Sequence, residues 1–507
     1  MVEAYHPDIR VLIRNLTIAN ALSRVTGARS VALVGADPEW EETFWRAFDR
    51  ERVKALVSAY GIHEIVDVHD VVAQRLAEGD LGDVPLSEAE IDARADSTVC
   101  RLRLVPRLPA EDLADPVYLG RRRRVHAFAS VYASILDRYT PKALVTCDVE
   151  YDQWGVLVDL AVGREIPVVH VQTTGSLKAY TLFPEARSGE ATFRAEMTRL
   201  IAGTYEGLRP HAHLLERSAE RVFDRSRNNL GRPSWWRKGS ASTLELTTAD
   251  ETSQFRGFVR DRLGLDKDQP VIAVFSHALS DALGTNRESF ADLAEWLEET
   301  AHFARGRPDA YWLFLDHPHQ ASFDRTGFFA RLAETFAEAP NLRFMRSLDL
   351  SRNSLYAIAD LGVTVRGSVA NELPALGIPV LQAGWSEWSD CGFSQVVTEP
   401  SAYWKALDTA IGTLAAGGEL ITAEQISAAR LWQWLYRSGA DVVSPLVPHW
   451  EVMPAGLLLS MLGVSMSEVE SDGDPVFTAV ARMWTKREPM LTRFDLTDAT
   501  EIQRNVR

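Results

Sequence analysis

Short apolar runs that alternate with helix-like stretches constrain this chain more than any other feature. In the first half the runs fall at 30–35 (SVALVG), 64–68, 143–146 and 167–171. In the second half they fall at 270–275 (PVIAVF), 311–315 (YWLFL), 342–344, 362–365 and 379–382. Between them lie stretches with helical spacing of apolar positions, at 9–22, 41–60, 118–139 and 151–164, then at 287–305, 328–337, 402–415 and 423–436. Strands that alternate with helices predict an α/β fold with parallel sheets covered on both faces. Residues 187–227 read as helical and highly charged, and 80–107 fit no element. The breaker-rich stretch 228–242 (NNLGRPSWWRKGSAS) divides the chain. The expected organisation is a first domain over 1–240, a second over 265–440 and a helical extension over 441–507, with a helical patch at 455–462, packing back on the first domain.

Composition narrows the classes. The chain has 507 residues, a net charge of -16 and a pI near 5.3, which argues against nucleic acid as the main partner. Its three cysteines, Cys100, Cys147 and Cys391, lie far apart without metal-ligand spacing, and they predict a reduced, cytoplasmic setting. The N-terminal residues lack the apolar core of a signal peptide, and no apolar run is long enough for a bilayer, so membrane contact is expected to be peripheral at most. Oligomeric state has no signature in the sequence.

Function is expected at strand ends, because ligands of open parallel sheets sit outside the carboxyl ends of the strands. Four polar clusters fall there: 148–152, 276–281, 316–320 and 366–368. In the last, Gly367 permits close backbone approach and Ser368 is a natural N-cap for a helix at 369–376, where free amides favour phosphate. Glu372 lies one turn on, where a carboxylate can receive a ribose diol. His317 precedes Pro318, which biases it toward extended geometry, so its imidazole projects from the strand end and can serve a phosphate oxygen. Ser276, His277 and Asp281 line the neighbouring loop; His319 is a weaker candidate. In the first half, Asp148, Glu150 and Asp152 are candidate general bases, and Asp37 and His170 are rivals on the same topological ground. Arg121–Arg124 either contact an anionic acceptor or lipid-phosphate carrier at a membrane surface or form a solvated face; the solvated face is the expectation, since four adjacent arginines point around a helix. Trp235-Trp236, beside Arg237 and Lys238, either pin a loop or line a sugar path. No acidic pair has the DxD context of a donor-bridging metal, so no metal is expected.

The motifs SHALSDA (276–282), DHPHQ (316–320) and VTVRGSVANELPALGIPVLQAG (363–384), in that order, resemble the capsule polysaccharide biosynthesis group of glycosyltransferases, which includes bacterial Kdo transferases. More distantly they are similar to bacterial sialyltransferases with an HP motif. The resemblance is best over 270–395. It departs from the group's pattern at Asp316, where a basic residue is common, and at Gly367-Ser368-Val369, where a Ser or Thr pair is common. It implies a GT-B architecture, two Rossmann-like domains facing across a cleft, with the nucleotide-sugar donor on the second and a saccharide or other hydroxyl acceptor on the first. It further implies that His317 contacts the donor phosphate, with Ser368 and the Gly367 backbone on the opposite side. The expected activity is inverting, metal-independent sugar transfer from a CMP- or UDP-type donor without a further cofactor. Two alternatives use the same body: a non-hydrolysing sugar-nucleotide epimerase and a non-catalytic nucleotide-binding scaffold.

Overall fold

The structure, a computed structural model, describes residues 1–6, 8–35, 37–44, 49–79, 81–82, 84–227, 249–266, 268–281, 288–346, 349–350, 352–447 and 473–506. Trp235, Trp236 and the expected helical patch at 455–462 lie outside the described residues.

The chain builds two six-stranded sheets. The first contains β1 (Val2–Ala4), β2 (Val31–Val34), β3 (Glu64–Asp67), β4 (Leu144–Thr146), β5 (Val168–Val171) and β6 (Ala179–Leu182). Its order is β3-β2-β1-β4-β5-β6, parallel except for β6, which runs antiparallel to β5. The second contains β7 (Val271–Phe275), β8 (Tyr311–Leu315), β9 (Leu342–Met345), β10 (Leu361–Thr364), β11 (Val380–Gln382) and β12 (Gln395–Val396). Its order is β12-β11-β10-β7-β8-β9, with every pair parallel. Counted within each half, both sheets follow the doubly wound order 3-2-1-4-5-6, so each has a switch point, at β1/β4 and at β7/β10.

Besides the two-residue edge strand β12, two strands have no counterpart in the sequence reading. β1 is three residues long with Glu3 at its centre, which breaks an apolar run. The Glu3 carboxylate is nevertheless fully buried, because its oxygens receive the Tyr5 N–H (2.6 Å), the Cys147 N–H (3.1 Å) and the Asn15 side-chain amide (3.3 Å). These bonds satisfy the buried acid and tie β1 to the end of β4. β6 is the other, and its outer edge is covered by the chain's own C-terminal segment: Leu491 N–H donates to Ala179 O and Thr181 N–H to Pro489 O. The helix Pro475–Lys486 buries Val476, Val480 and Met483 in the same core as Leu12 and Leu16 of the helix Ile9–Thr26.

The unassigned region 80–107 contains the helix Glu88–Arg103. Its start is fixed by a capping box in which Ser87 and Glu90 satisfy each other's backbone amides. The single helix expected over 41–60 is two, Pro38–Phe44 and Arg50–Ala59, the second capped by Asp49. The expected helix at 369–376 is one α-turn, Val369–Glu372, followed by a 3-10 turn, Pro374–Leu376. Pro374 lacks the N–H that an α-helix would use there.

Arg121–Arg124 correct the expectation of a solvated face. They lie on the helix Pro116–Tyr139 and do point around it, but Arg121 points inward and is 1% exposed. Its guanidinium meets Asp37 at 2.8 Å and Asp152 at 2.5 Å, and Arg124 meets the other Asp37 oxygen at 2.8 Å. Arg122 pairs with Asp92 on the helix Glu88–Arg103, and Arg123 is exposed.

Candidate active site

Register brings the donor-side loops to one level. Phe275 pairs with Leu315, and Val274 pairs with Val363, so the chain leaves β7, β8 and β10 along one edge. Neighbouring strands lie about 4.8 Å apart, which places the loops after 275, 315 and 364 side by side. Thr364 fastens two of them: its hydroxyl donates to Phe275 O (3.2 Å) and accepts from Gly367 N–H (3.3 Å). A Cβ on Gly367 would sit 2.8 Å from that hydroxyl oxygen, so the close approach this glycine allows is to Thr364. Arg366 braces the third side: its buried guanidinium pairs with Glu288 at 2.7 Å and donates to Asp281 O at 2.8 Å.

His317 is half-buried at the end of β8. The His319 N–H donates to its Nδ1 (3.2 Å), so the neutral ring carries its proton on Nε2, ready to donate. Burial pulls its pKa down to about 4, against the opposing pull of Asp281. The imidazole is therefore neutral at pH 7. The folded protein is expected to take up this proton only near pH 4, and to lose stability as pH falls from the ordinary histidine value to about 4, where the unfolded chain binds the proton and the folded one does not. A histidine-selective NMR titration checks this; a His317 midpoint near 6.5 would contradict the burial.

The other donor-side candidates divide. Ser276 is buried, with its hydroxyl on His277 O (3.2 Å), while His277 and Asp281 are half-buried beside it. Ser368 stands at the N-cap position but makes no side-chain cap bond, and it is half-buried. Glu372 withdraws from the edge: it is 4% exposed and accepts the Tyr356 hydroxyl at 2.9 Å.

The first half presents its own strand ends toward these loops. The Tyr151 hydroxyl, at the start of the helix Tyr151–Gly163, donates to Asp281 Oδ1 at 2.8 Å. Thr198 Oγ1 donates to Ser386 O (3.2 Å), and Arg194 approaches Glu387 at 3.5 Å. The carboxyl ends of the two sheets thus face each other through polar contacts, whereas apolar contact between the halves is made by helices such as Ala212–Arg227 and Ala423–Trp434.

The three candidate bases have different fates. Asp152 is 0% exposed and paired with Arg121. Glu150 is buried between Arg194 and Arg94. Asp148 is half-buried, and its Oδ1 accepts the Val149 N–H (2.7 Å) and the Glu150 N–H (2.9 Å). Burial pushes its pKa up to about 7, against those amide bonds and the charge of Arg194. A carboxylate poised near neutrality, oriented by two amides and partly open, fits a general base. The rivals fit less well. Asp37 is spent on Arg121 and Arg124, which hold it below the usual carboxylate range against burial. His170 is buried against Phe193 and Gln172, and burial pulls it down to about 3.

Sequence reading missed two side chains that shape the cleft. Tyr151 bridges to Asp281, and Arg101, on the helix Glu88–Arg103, donates to Ser322 O at 3.0 Å across the halves. Tyr151 lies within the acidic cluster 148–152, between Glu150 and Asp152; Arg101 had no signal beyond the Ser87–Glu90 capping pattern.

Two Rossmann-like halves with facing carboxyl edges define the GT-B fold class. No protein-family model matches the chain, and no curated protein matches it. Among solved structures it is similar to UDP-GlcNAc 2-epimerase from Neisseria meningitidis bound to UDP-GlcNAc, at 12% identity and a TM-score of 0.26, covering 86% of this chain and 98% of that one. It is also similar to S. aureus MnaA in its UDP co-structure, at 11% identity and a TM-score of 0.28, covering 84% and 90%. For the wall teichoic acid polymerase TagF the values are 14% and 0.24, with 43% of this chain and 49% of that chain covered. At such scores the fold class rests on the strand order and register described above. Among the described residues, no helix is long and apolar enough to cross a membrane.

Proposed function

We propose that the protein is a GT-B glycosyltransferase that moves a sugar from a CMP- or UDP-type donor to a hydroxyl of a saccharide or other acceptor, as in capsule-type polysaccharide, glycoconjugate or natural-product assembly. The observation that carries this reading is the Tyr151–Asp281 hydrogen bond, which joins the strand edge that bears Asp148 to the strand edge that bears His317. The acceptor oxygen attacks the anomeric carbon while the bond from that carbon to the donor phosphate oxygen breaks. The acceptor proton passes to Asp148, and the departing phosphate takes a hydrogen bond from His317 Nε2–H. Ser276, His277 and Ser368 surround the same phosphate, and the attack inverts the anomeric centre.

Thermal denaturation with CMP, CDP, UDP, GDP and dTDP tests the reading. One nucleotide at about 100 times its Kd is expected to stabilise the protein by ~2.7 kcal/mol, and His317→Ala is expected to lose most of that gain. No response to any nucleotide would remove the proposal. Turnover of the matching sugar nucleotide to its epimer without an acceptor would instead identify the epimerase chemistry.

A further inference from the structure

His317 belongs to the second half, yet two groups that act on it are held by the first. The Phe323 ring meets the imidazole edge-on, with centroids 6.0 Å apart at 82°. Arg101 lies over Phe323 at 4.1 Å and over Phe44 at 4.3 Å, so one guanidinium is held against an aromatic ring from each half. The same stretch of the first half grips the loop twice more: Arg101 donates to Ser322 O (3.0 Å), and Arg325 N–H donates to Leu104 O (2.8 Å). On the neighbouring loop, Asp281, whose charge acts on the imidazole, receives the Tyr151 hydroxyl at 2.8 Å.

Tyr151 itself is unusual. Its φ is 56°, in the left-handed region that bulky side chains avoid. Its ring is fixed against Trp40, with centroids 5.1 Å apart at 65°. A strained residue persists where its surroundings over-determine it, and this one lies three positions after Asp148.

We propose that Tyr151 and Arg101 are positioning residues through which closure of the two halves sets His317 for the donor phosphate. This rests on the reading of the cleft as a nucleotide-sugar site. Separating the halves breaks the Tyr151–Asp281 bond and pulls Arg101 from Phe323, so both groups that act on His317 are released together. The phosphate site is then complete only when the acceptor half is in place, and a bound donor is not activated in the open cleft.

Full-length Tyr151→Phe and Arg101→Leu, with Arg101→Lys as the charge-preserving variant and Arg107→Ala as control, test this by two measurements. The first is affinity for the nucleotide that stabilises the wild type; the second is the nitrogen chemical shifts of the His317 ring. Tyr151→Phe and Arg101→Leu are each expected to weaken binding about tenfold and to move the His317 signals. Arg101→Lys, which lacks the planar stack, is expected to recover only part. Arg107→Ala removes the 3.1 Å bridge to Asp292 but neither contact, and is expected to leave both measurements unchanged. Wild-type binding and unmoved His317 signals in Tyr151→Phe and Arg101→Leu would overturn the inference. Moved His317 signals in a protein that binds no nucleotide would instead uphold the positioning and overturn the nucleotide-sugar reading.

Discussion

Replacing Arg121 with methionine is expected to destabilise the protein by ~3–5 kcal/mol, because it leaves two buried carboxylates without their shared cation. Asp37 comes from the end of β2 and Asp152 from the helix after β4, and Arg121 holds both while none of the three is more than 2% exposed. Arg124 remains for Asp37, but Asp152 keeps no equivalent partner among the described contacts. Urea unfolding at pH 7 checks the size of the loss. Arg123→Ala, an exposed neighbour on the same helix, is expected to change stability by no more than about 0.5 kcal/mol. Equal effects from the two substitutions would refute the buried role. The pH dependence has a definite sign. Asp37 ionises below its ordinary value in the folded protein, so its contribution is present at neutral pH and is lost as pH falls below about 4, through its folded value.

Asp148→Asn is expected to lower the transfer rate by about 10²–10⁴-fold, the usual weight of a general base, with little change in donor affinity. In the unaltered protein, kcat/KM is expected to rise with pH up to about 7 and then level, as the half-buried carboxylate ionises. The same substitution is expected to stabilise the fold at pH 8. A carboxyl group whose folded pKa is raised binds its proton more tightly in the native state, so stability falls as pH climbs from about 4 to about 7. The amide of the variant is spared that loss. Full activity in Asp148→Asn, or lower stability than the wild type at pH 8, would transfer the role to another group. Glu150→Gln is the informative comparison, because Glu150 is a buried partner of Arg94 and Arg194 and its loss should act on stability.

The candidate site was legible where chemistry coincides with a strong strand end. The run YWLFL followed by Asp316-His317-Pro318 places an imidazole on the carboxyl edge, and the structure adds its tautomer, its burial and its contact with Phe323. The same logic found the acidic end of β4 but could not separate Asp148, Glu150 and Asp152. Their difference lies in which arginine reaches each one, and those arginines come from helices 30 or more residues away in sequence. For Glu372, helical spacing gave its place one turn from Ser368, but its burial against Tyr356 was not legible, because Tyr356 comes from a different helix.

By itself the sequence determined the alternation of strand and helix, hence two parallel sheets and the polar edges where ligands belong, because periodicity and turn chemistry are local. Only the tertiary structure decided that β1, with a glutamate at its centre, occupies the middle of a sheet, that Arg121 turns inward, and that Asp148 stays open while its neighbours are paired. Burial and charge pairing depend on contacts between distant segments, and no local pattern encodes which segment arrives.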